Sequence, residues 1–344
     1  MLEALVKEIE STSKYLDQRS LDSIYFGGGT PSLLSKDELG SIMNTLSQYY
    51  SWTKDTEITL EANPDDLNKQ TIKGLTEIGI NRLSIGIQSF HDKDLSFMNR
   101  AHNATEAKQC IELAQDLGIN NLSIDLIYGS ETTSYSMWEE NINTALSLDV
   151  PHISSYCLTI EERTPLAAFV ERGLAKPLDE EKAEQQFHTL INALESNGFE
   201  HYEISNFAKD EKYAVHNSNY WLGKSYLGIG PSAHSYNGLS RQWNIAHNAK
   251  YISSIERGQL PSTKENLSTS ERYNEYILVR LRTKWGCQPK EVEEKFPMFY
   301  EHFKTESQKL LEGGWIDYQA SEETFVLSQK GKFLADKISV DLMV

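Results

Sequence analysis

What most constrains this chain is a regular alternation of short apolar runs with helix-length amphipathic ones over its first ~200 residues. Apolar runs stand at residues 23–26, 57–62, 82–88, 122–127 and 152–158. Between them the periodicity predicts helices over residues 35–50 and 68–78, in a longer stretch ending at Leu117-Gly118, over residues 136–148 and over residues 178–200. Ser35 is a capping residue with Glu38 three positions on, the signature of a helix start. Strands joined by helices of this length lie parallel and cross over right-handedly. About six such units would curl into a full or partial barrel, whose active groups gather at the C-terminal strand ends. The Gly27-Gly28-Gly29 run, Glu61, Gln88, Asp125 and Thr159 all fall at or near those ends, so they are expected to share one rim.

The chain opens on a helix, with Leu2, Leu5, Val6, Ile9 and Leu16 at helical spacing. The strand at residues 23–26 would therefore lack a sheet neighbour on one side, which is a liability for an apolar edge. Either the barrel is open there or a strand belongs before Met1. Residues 201–243 are rich in Gly, Asn, Ser, His, Tyr and Trp, too aromatic for a linker and too irregular for a plain helix. From Thr269 the pattern changes to helical segments at 271–283, 289–295 and 300–311, then short strands at 315–318 and 324–327, the order of a winged-helix-like α+β module. The expected division is 1–200 for the barrel, 201–268 for a connecting region and 269–344 for the module. The third helix of the module mixes Glu and Lys beside Phe299, Tyr300 and Phe303, which suits a lid or docking role better than DNA reading.

A formal net charge of −17 repels phosphate backbones and argues against nucleic acid as a partner. No apolar run approaches the ~20 residues of a membrane span, so a cytoplasmic protein is expected. Cys110, Cys157 and Cys287 are odd in number and far apart, which indicates neither a disulfide framework nor a metal cluster.

Glycines after a strand let backbone approach a ligand, but Gly27 to Pro31 form neither a Walker loop nor a spaced dinucleotide fingerprint. Their company is more specific: Leu60-Glu61-Ala62-Asn63-Pro64, Arg82 to Phe90 around Gly86 and Gln88, Asn99-Arg100, and Ile124-Asp125-Leu126-Ile127-Tyr128-Gly129. In this order the motifs resemble the radical S-adenosylmethionine (SAM) proteins of the oxygen-independent coproporphyrinogen III oxidase family, over nearly the whole chain. The resemblance implies a partial parallel (β/α) barrel of the radical SAM type. It implies SAM contacts at Gly28, Gly29, Thr30 and Glu61, contacts at Gln88, Arg100 and Asp125 that match positions holding a second SAM in the oxidase, and further cofactor contacts at Thr159 and the Ala233-His234 pair. A carboxylate at a strand end can accept ribose or amino hydrogens, and an Arg can clamp a carboxylate. A structural ion-pair network across the barrel mouth is the other reading of Glu61, Arg100 and Asp125.

The family holds a 4Fe–4S cluster on closely spaced cysteines, and no such set is present in this chain. An N-terminally shortened protein is the economical expectation, and a cluster-free relative the alternative. His216-Asn217-Ser218-Asn219-Tyr220-Trp221 resembles the haem-associated motif of the haem-chaperone branch, the HemW proteins. That implies haem contacts at His216, Tyr220 and Trp221 and delivery of haem to an acceptor protein, one at a membrane included. Two other functions stay open: oxidative decarboxylation of coproporphyrinogen, and a non-catalytic metabolite-binding barrel. His91, His102 and His152 are read as ordinary structural histidines.

Overall fold

The computed structural model describes residues 1–344. The alternation resolves into strands β1 (Ser23–Phe26), β2 (Glu57–Ala62), β3 (Arg82–Gln88), β4 (Asn121–Tyr128), β5 (His152–Cys157), β6 (Phe199–Glu203) and β7 (Asn206–Lys209). They form one open sheet in the order β1-β2-β3-β4-β5-β7-β6. β2 to β5 run parallel, and β7 pairs antiparallel with both β5 and β6. The parallel series therefore stops one unit earlier than the sequence pattern suggests, and a hairpin completes the sheet. The helix expected to reach residue 200 ends at Ser196, because Gly198 takes φ +82 and releases the chain into β6.

Strands of a wholly covered parallel sheet read as continuous apolar runs. Those here alternate. On one face Ile58, Leu60, Leu83, Ile85, Ile87, Leu122, Ile124 and Leu126 are at most 4% exposed. On the other face the register sets polar residues side by side. Glu61 lies opposite Ser84, Ser84 opposite Ser123, Ser123 opposite His152, and Asp125 opposite Ser154. Helices Lys69–Glu77, Ala104–Asp116, Tyr135–Ser147 and Glu180–Ser196 begin on the side-chain caps Asn68, Asn103, Ser134 and Asp179. They bury Ile72, Ile111, Trp138 and Phe187 among others. One face of the sheet is thus core and the other is available for a polar site.

This sheet belongs to a compact unit of Ile24–Lys36 and Glu57–Ala214. A second unit comprises Met1–Ser23, Asp37–Thr56 and Val215–Val344. It contains helix Leu2–Thr12, helix Val215–Trp221, and an antiparallel sheet of β8 (His234–Tyr236), β9 (Ser240–Asn244) and β10 (Ser262–Asn266), with β9 in the middle. The stretch that looks irregular in sequence therefore carries regular structure. Helices Thr269–Leu281, Pro289–Lys295 and Tyr300–Glu312 follow, then the antiparallel hairpin β11 (Ile316–Gln319) and β12 (Thr324–Leu327). No helix is long and apolar enough to cross a membrane.

Candidate functional site

The rim begins where β1 ends. A Cβ on Gly27 would lie 2.6 Å from Tyr25 Cε1 and 2.7 Å from Glu61 Oε1, so only glycine fits there undisturbed. Gly28 follows in the left-handed region at φ +78, with open space on its Cβ side. Glu61, on β2, is oriented by two bonds. Its Oε1 accepts from the Tyr25 hydroxyl at 2.7 Å and its Oε2 from the Gly28 N–H at 3.1 Å. Burial, reinforced by the Glu61 charge, pushes the Tyr25 phenol far above its ordinary range, so it stays a donor.

At the end of β3 the Arg100 guanidinium donates to Asn63 Oδ1 at 2.7 Å and to the Gly86 carbonyl at 3.0 Å. A Cβ on Gly86 would lie 2.9 Å from Gln88 Nε2 and 3.2 Å from Arg100 Nη2, which places Gln88 and Arg100 around the same glycine. Gln88 takes φ 67 where β3 slips register against β4. A non-glycine residue there costs about 1–2 kcal/mol, and such strain clusters at ligand sites. Asp125, on β4, is pushed up to about 7 by burial and then by the Glu61 charge, against the pull of Arg82, a hydrogen bond from Ser154, and Arg100.

Beneath the rim lies a polar layer whose function could not be read from any one residue. Ser123 Oγ is 2.7 Å from His152 Nδ1, and His152 Nε2 is 2.7 Å from the Tyr202 hydroxyl, which also accepts from the Ala214 N–H at 3.3 Å. Burial holds His152 well below its usual range, hence neutral, as a structural link. Arg82, 2% exposed, stands 3.7 Å from Glu57. Tyr25 and Ser154 escaped the sequence reading, and Asn63 and Arg82 entered it only as members of their motifs, with no role given. The period-2 polar face of β2 to β5 was the signal that could have found them.

The geometry gathers Gly28, Glu61, Gln88, Arg100 and Asp125 through shared bonds and charges. Gly29 and Thr30 are exposed beyond the glycine turn. Thr159 is exposed two residues past β5, its hydroxyl 3.4 Å from the Cys157 carbonyl, and no bond joins it to the other rim residues. The cysteines do not fit an iron–sulfur cluster. Cys110 is buried on a helix with its thiol pushed up to about 12, Cys287 is buried in the other unit, and no group of three metal-ligating side chains converges.

His216, Tyr220 and Trp221 lie on helix Val215–Trp221. Spacing of four puts His216 and Tyr220 on one helix face, and Tyr220 is 43% exposed. Trp221 packs edge-on to Tyr220 at 4.9 Å, with the Arg282 guanidinium 5.4 Å from its ring centroid. His216 Nδ1 is 3.0 Å from Ser23 Oγ. His234 is exposed and stacks at 6.1 Å on Trp243.

Residues 3–145 match the Radical SAM superfamily. A protein of Bacillus subtilis named heme chaperone HemW is 35% identical over 98% of this chain and 89% of its own length. The HemW of Lactococcus lactis is 30% identical over 98% of this chain and 90% of its own. The chain belongs to the HemW family. Its fold is the radical SAM fold, for coproporphyrinogen III oxidase (HemN) from Escherichia coli superposes with a TM-score of 0.83 at 20% identity, covering 100% of this chain and 82% of that one. Membership in the HemW family is carried by the sequence relatives, because the superposition at that identity speaks for fold alone.

Proposed function

We propose that this protein binds haem and hands it to an acceptor protein, soluble or at a membrane surface, and that it also binds SAM. The observation that carries the haem reading is the helix presenting His216 and exposed Tyr220 on one face, in a chain aligned almost end to end with haem chaperones. Imidazole is a common haem ligand, and an aromatic ring packs well against a porphyrin face. Titrating the purified protein with haem should shift the haem absorption band. His216→Ala should weaken binding about tenfold or more while the far-ultraviolet circular dichroism stays native. An unchanged haem spectrum in the wild type, or equal affinity in a folded mutant, would refute the role given to His216.

SAM would be held by the backbone of Gly28 and Gly29, by Thr30 and Glu61, and by Gln88, Arg100 and Asp125, with Thr159 at the margin. The open space over Gly28 and Gly29 beside an oriented Glu61 carboxylate suits a ligand that offers hydroxyl and ammonium hydrogens. When bound, SAM supplies a cationic sulfonium centre. The thiols of this chain fit no cluster, so no reductive step is assigned to it.

Asp125 makes this binding pH-dependent. A cationic ligand favours the ionised carboxylate, which is present above about 7 and lost as pH falls through that value. SAM affinity should be full near pH 8 and drop by up to about tenfold per unit below pH ~7. In the free protein the sign is opposite. The native state keeps a proton that the unfolded chain releases near pH ~4, so this group's contribution to stability declines as pH rises from there to about 7. Calorimetric titration between pH 6 and 8 checks the first claim, and Asp125→Asn should flatten the profile. A pH-independent wild type would remove Asp125 from the site.

A further inference from the structure

Asn63 stands one residue past β2, held extended at φ −89 and ψ 149 before Pro64. Its Oδ1 accepts from Arg100 Nη2 at 2.7 Å, and its Nδ2 faces the Asp66 carboxylate at 3.4 Å. Asp66 is itself held by the Ser32 hydroxyl at 2.7 Å. The amide can sit only one way. A guanidinium only donates and an ionised carboxylate only accepts, so the oxygen faces Arg100 and the nitrogen faces Asp66.

Nη2 carries two hydrogens and has two acceptors, Asn63 Oδ1 and the Gly86 carbonyl. Both are neutral oxygens, and Nε and Nη1 bond to no protein atom. The Arg100 charge reaches Asp125 without an ion pair between them. Tyr25, Glu61, Arg82, Ser154 and Tyr156 face the same carboxylate. A long cationic side chain beside a carboxylate is drawn into a pair unless it is held off. Two neutral acceptors hold it here, so a fixed cation and a fixed carboxylate stay apart on one rim. Separated opposite charges match a zwitterion. Arg100 suits the carboxylate of an α-amino acid head group, and ionised Asp125 suits its ammonium.

We propose that Asn63 is the positioning residue that keeps Arg100 out of an ion pair with Asp125, so that the rim receives the zwitterionic amino-acid end of SAM. The inference rests on SAM binding at this rim.

Calorimetric titration with SAM and with decarboxylated SAM, which lacks only the α-carboxylate, tests this. At pH 8 the wild type should bind SAM roughly tenfold or more tightly than the decarboxylated form. Asn63→Ala should bring the two affinities within about threefold of each other. It should also move the pH midpoint of SAM binding down from about 7 by about one unit or more, because a paired Arg100 favours the ionised Asp125. Arg100→Ala should erase the preference as well but move the midpoint up, since it removes that cation. Asn63→Ser, one bond too short to reach Nη2, should repeat these effects where the alanine variant does not fold. Equal losses for both ligands with an unmoved midpoint would make Asn63 a purely structural residue and overturn the proposal. So would wild-type behaviour in a folded Asn63→Ala, a midpoint that rises in it, or equal affinities of the wild type for the two ligands. Each of these leaves SAM binding standing. No SAM binding by the wild type would overturn the SAM reading and this inference with it.

Discussion

A Gly27→Ala variant is expected to keep its fold and to lose roughly 10- to 100-fold in SAM affinity, the equivalent of one or two charge-assisted hydrogen bonds. The added Cβ would meet Tyr25 Cε1 at 2.6 Å and Glu61 Oε1 and Cδ at 2.7 and 2.8 Å. What must move is the end of the Glu61 side chain and the edge of a ring, which is cheap for the fold. The same displacement swings the carboxylate out of the place set by Tyr25 and the Gly28 N–H. Gly29→Ala is the contrasting case, because its Cβ would meet nothing within 4 Å and no positive φ is recorded there. Any loss of affinity in Gly29→Ala would report contact with the ligand itself. Thermal melting together with calorimetric SAM titration separates fold from binding. Wild-type SAM affinity in Gly27→Ala would show that Glu61 is no contact.

The rim was legible because the chemistry sits at strand ends and the strands announce themselves. In β3 and β4, Leu83, Ile85, Leu122 and Ile124 alternate with Ser84, Gly86, Ser123 and Asp125. Once the strands are placed, so are the residues beyond them. β9 and β10 lacked that signal. Ser240–Asn244 and Ser262–Asn266 are largely polar strands, specified by pairing such as Thr263 with Trp243 rather than by any local period. β6 hides for a related reason. Its buried residues follow directly on an amphipathic helix, so the helical period reads on to residue 200, although Gly198 turns the chain before β6. The motif helix was legible by resemblance, whereas its partner Ser23 was not, since a bond spanning 193 residues leaves no trace in local pattern.

The same blindness hides a buried anchor of the second unit, and Glu8→Ala is expected to lower its unfolding free energy by about 3–5 kcal/mol. On helix Leu2–Thr12 the position reads as an ordinary acidic residue, yet it is 1% exposed. Its Oε2 accepts from the Gly230 N–H at 2.8 Å and from the Tyr251 hydroxyl, and its Oε1 from Asn244 Nδ2 at 2.5 Å. Those three donors come from a turn, from β9 and from helix Asn248–Glu256, so one carboxylate ties three segments to the first helix beside Ala4, Tyr251 and Ile255. Burial raises its pKa, against the pull of the hydrogen bonds from Tyr251, Asn244 and Gly230. Alanine leaves the Gly230 N–H and the Tyr251 hydroxyl without their acceptor and takes one of two from Asn244 Nδ2, which keeps the Gly230 carbonyl at 2.9 Å; each full orphan costs about 1–3 kcal/mol. Glu8→Gln should be milder, at about 1–2 kcal/mol, because one amide oxygen still accepts and the Tyr251 hydroxyl can turn to accept from the amide nitrogen. Denaturant unfolding of the three proteins measures both steps. A Glu8→Ala loss below about 1 kcal/mol would mean that water reaches these donors and that the carboxylate anchors nothing.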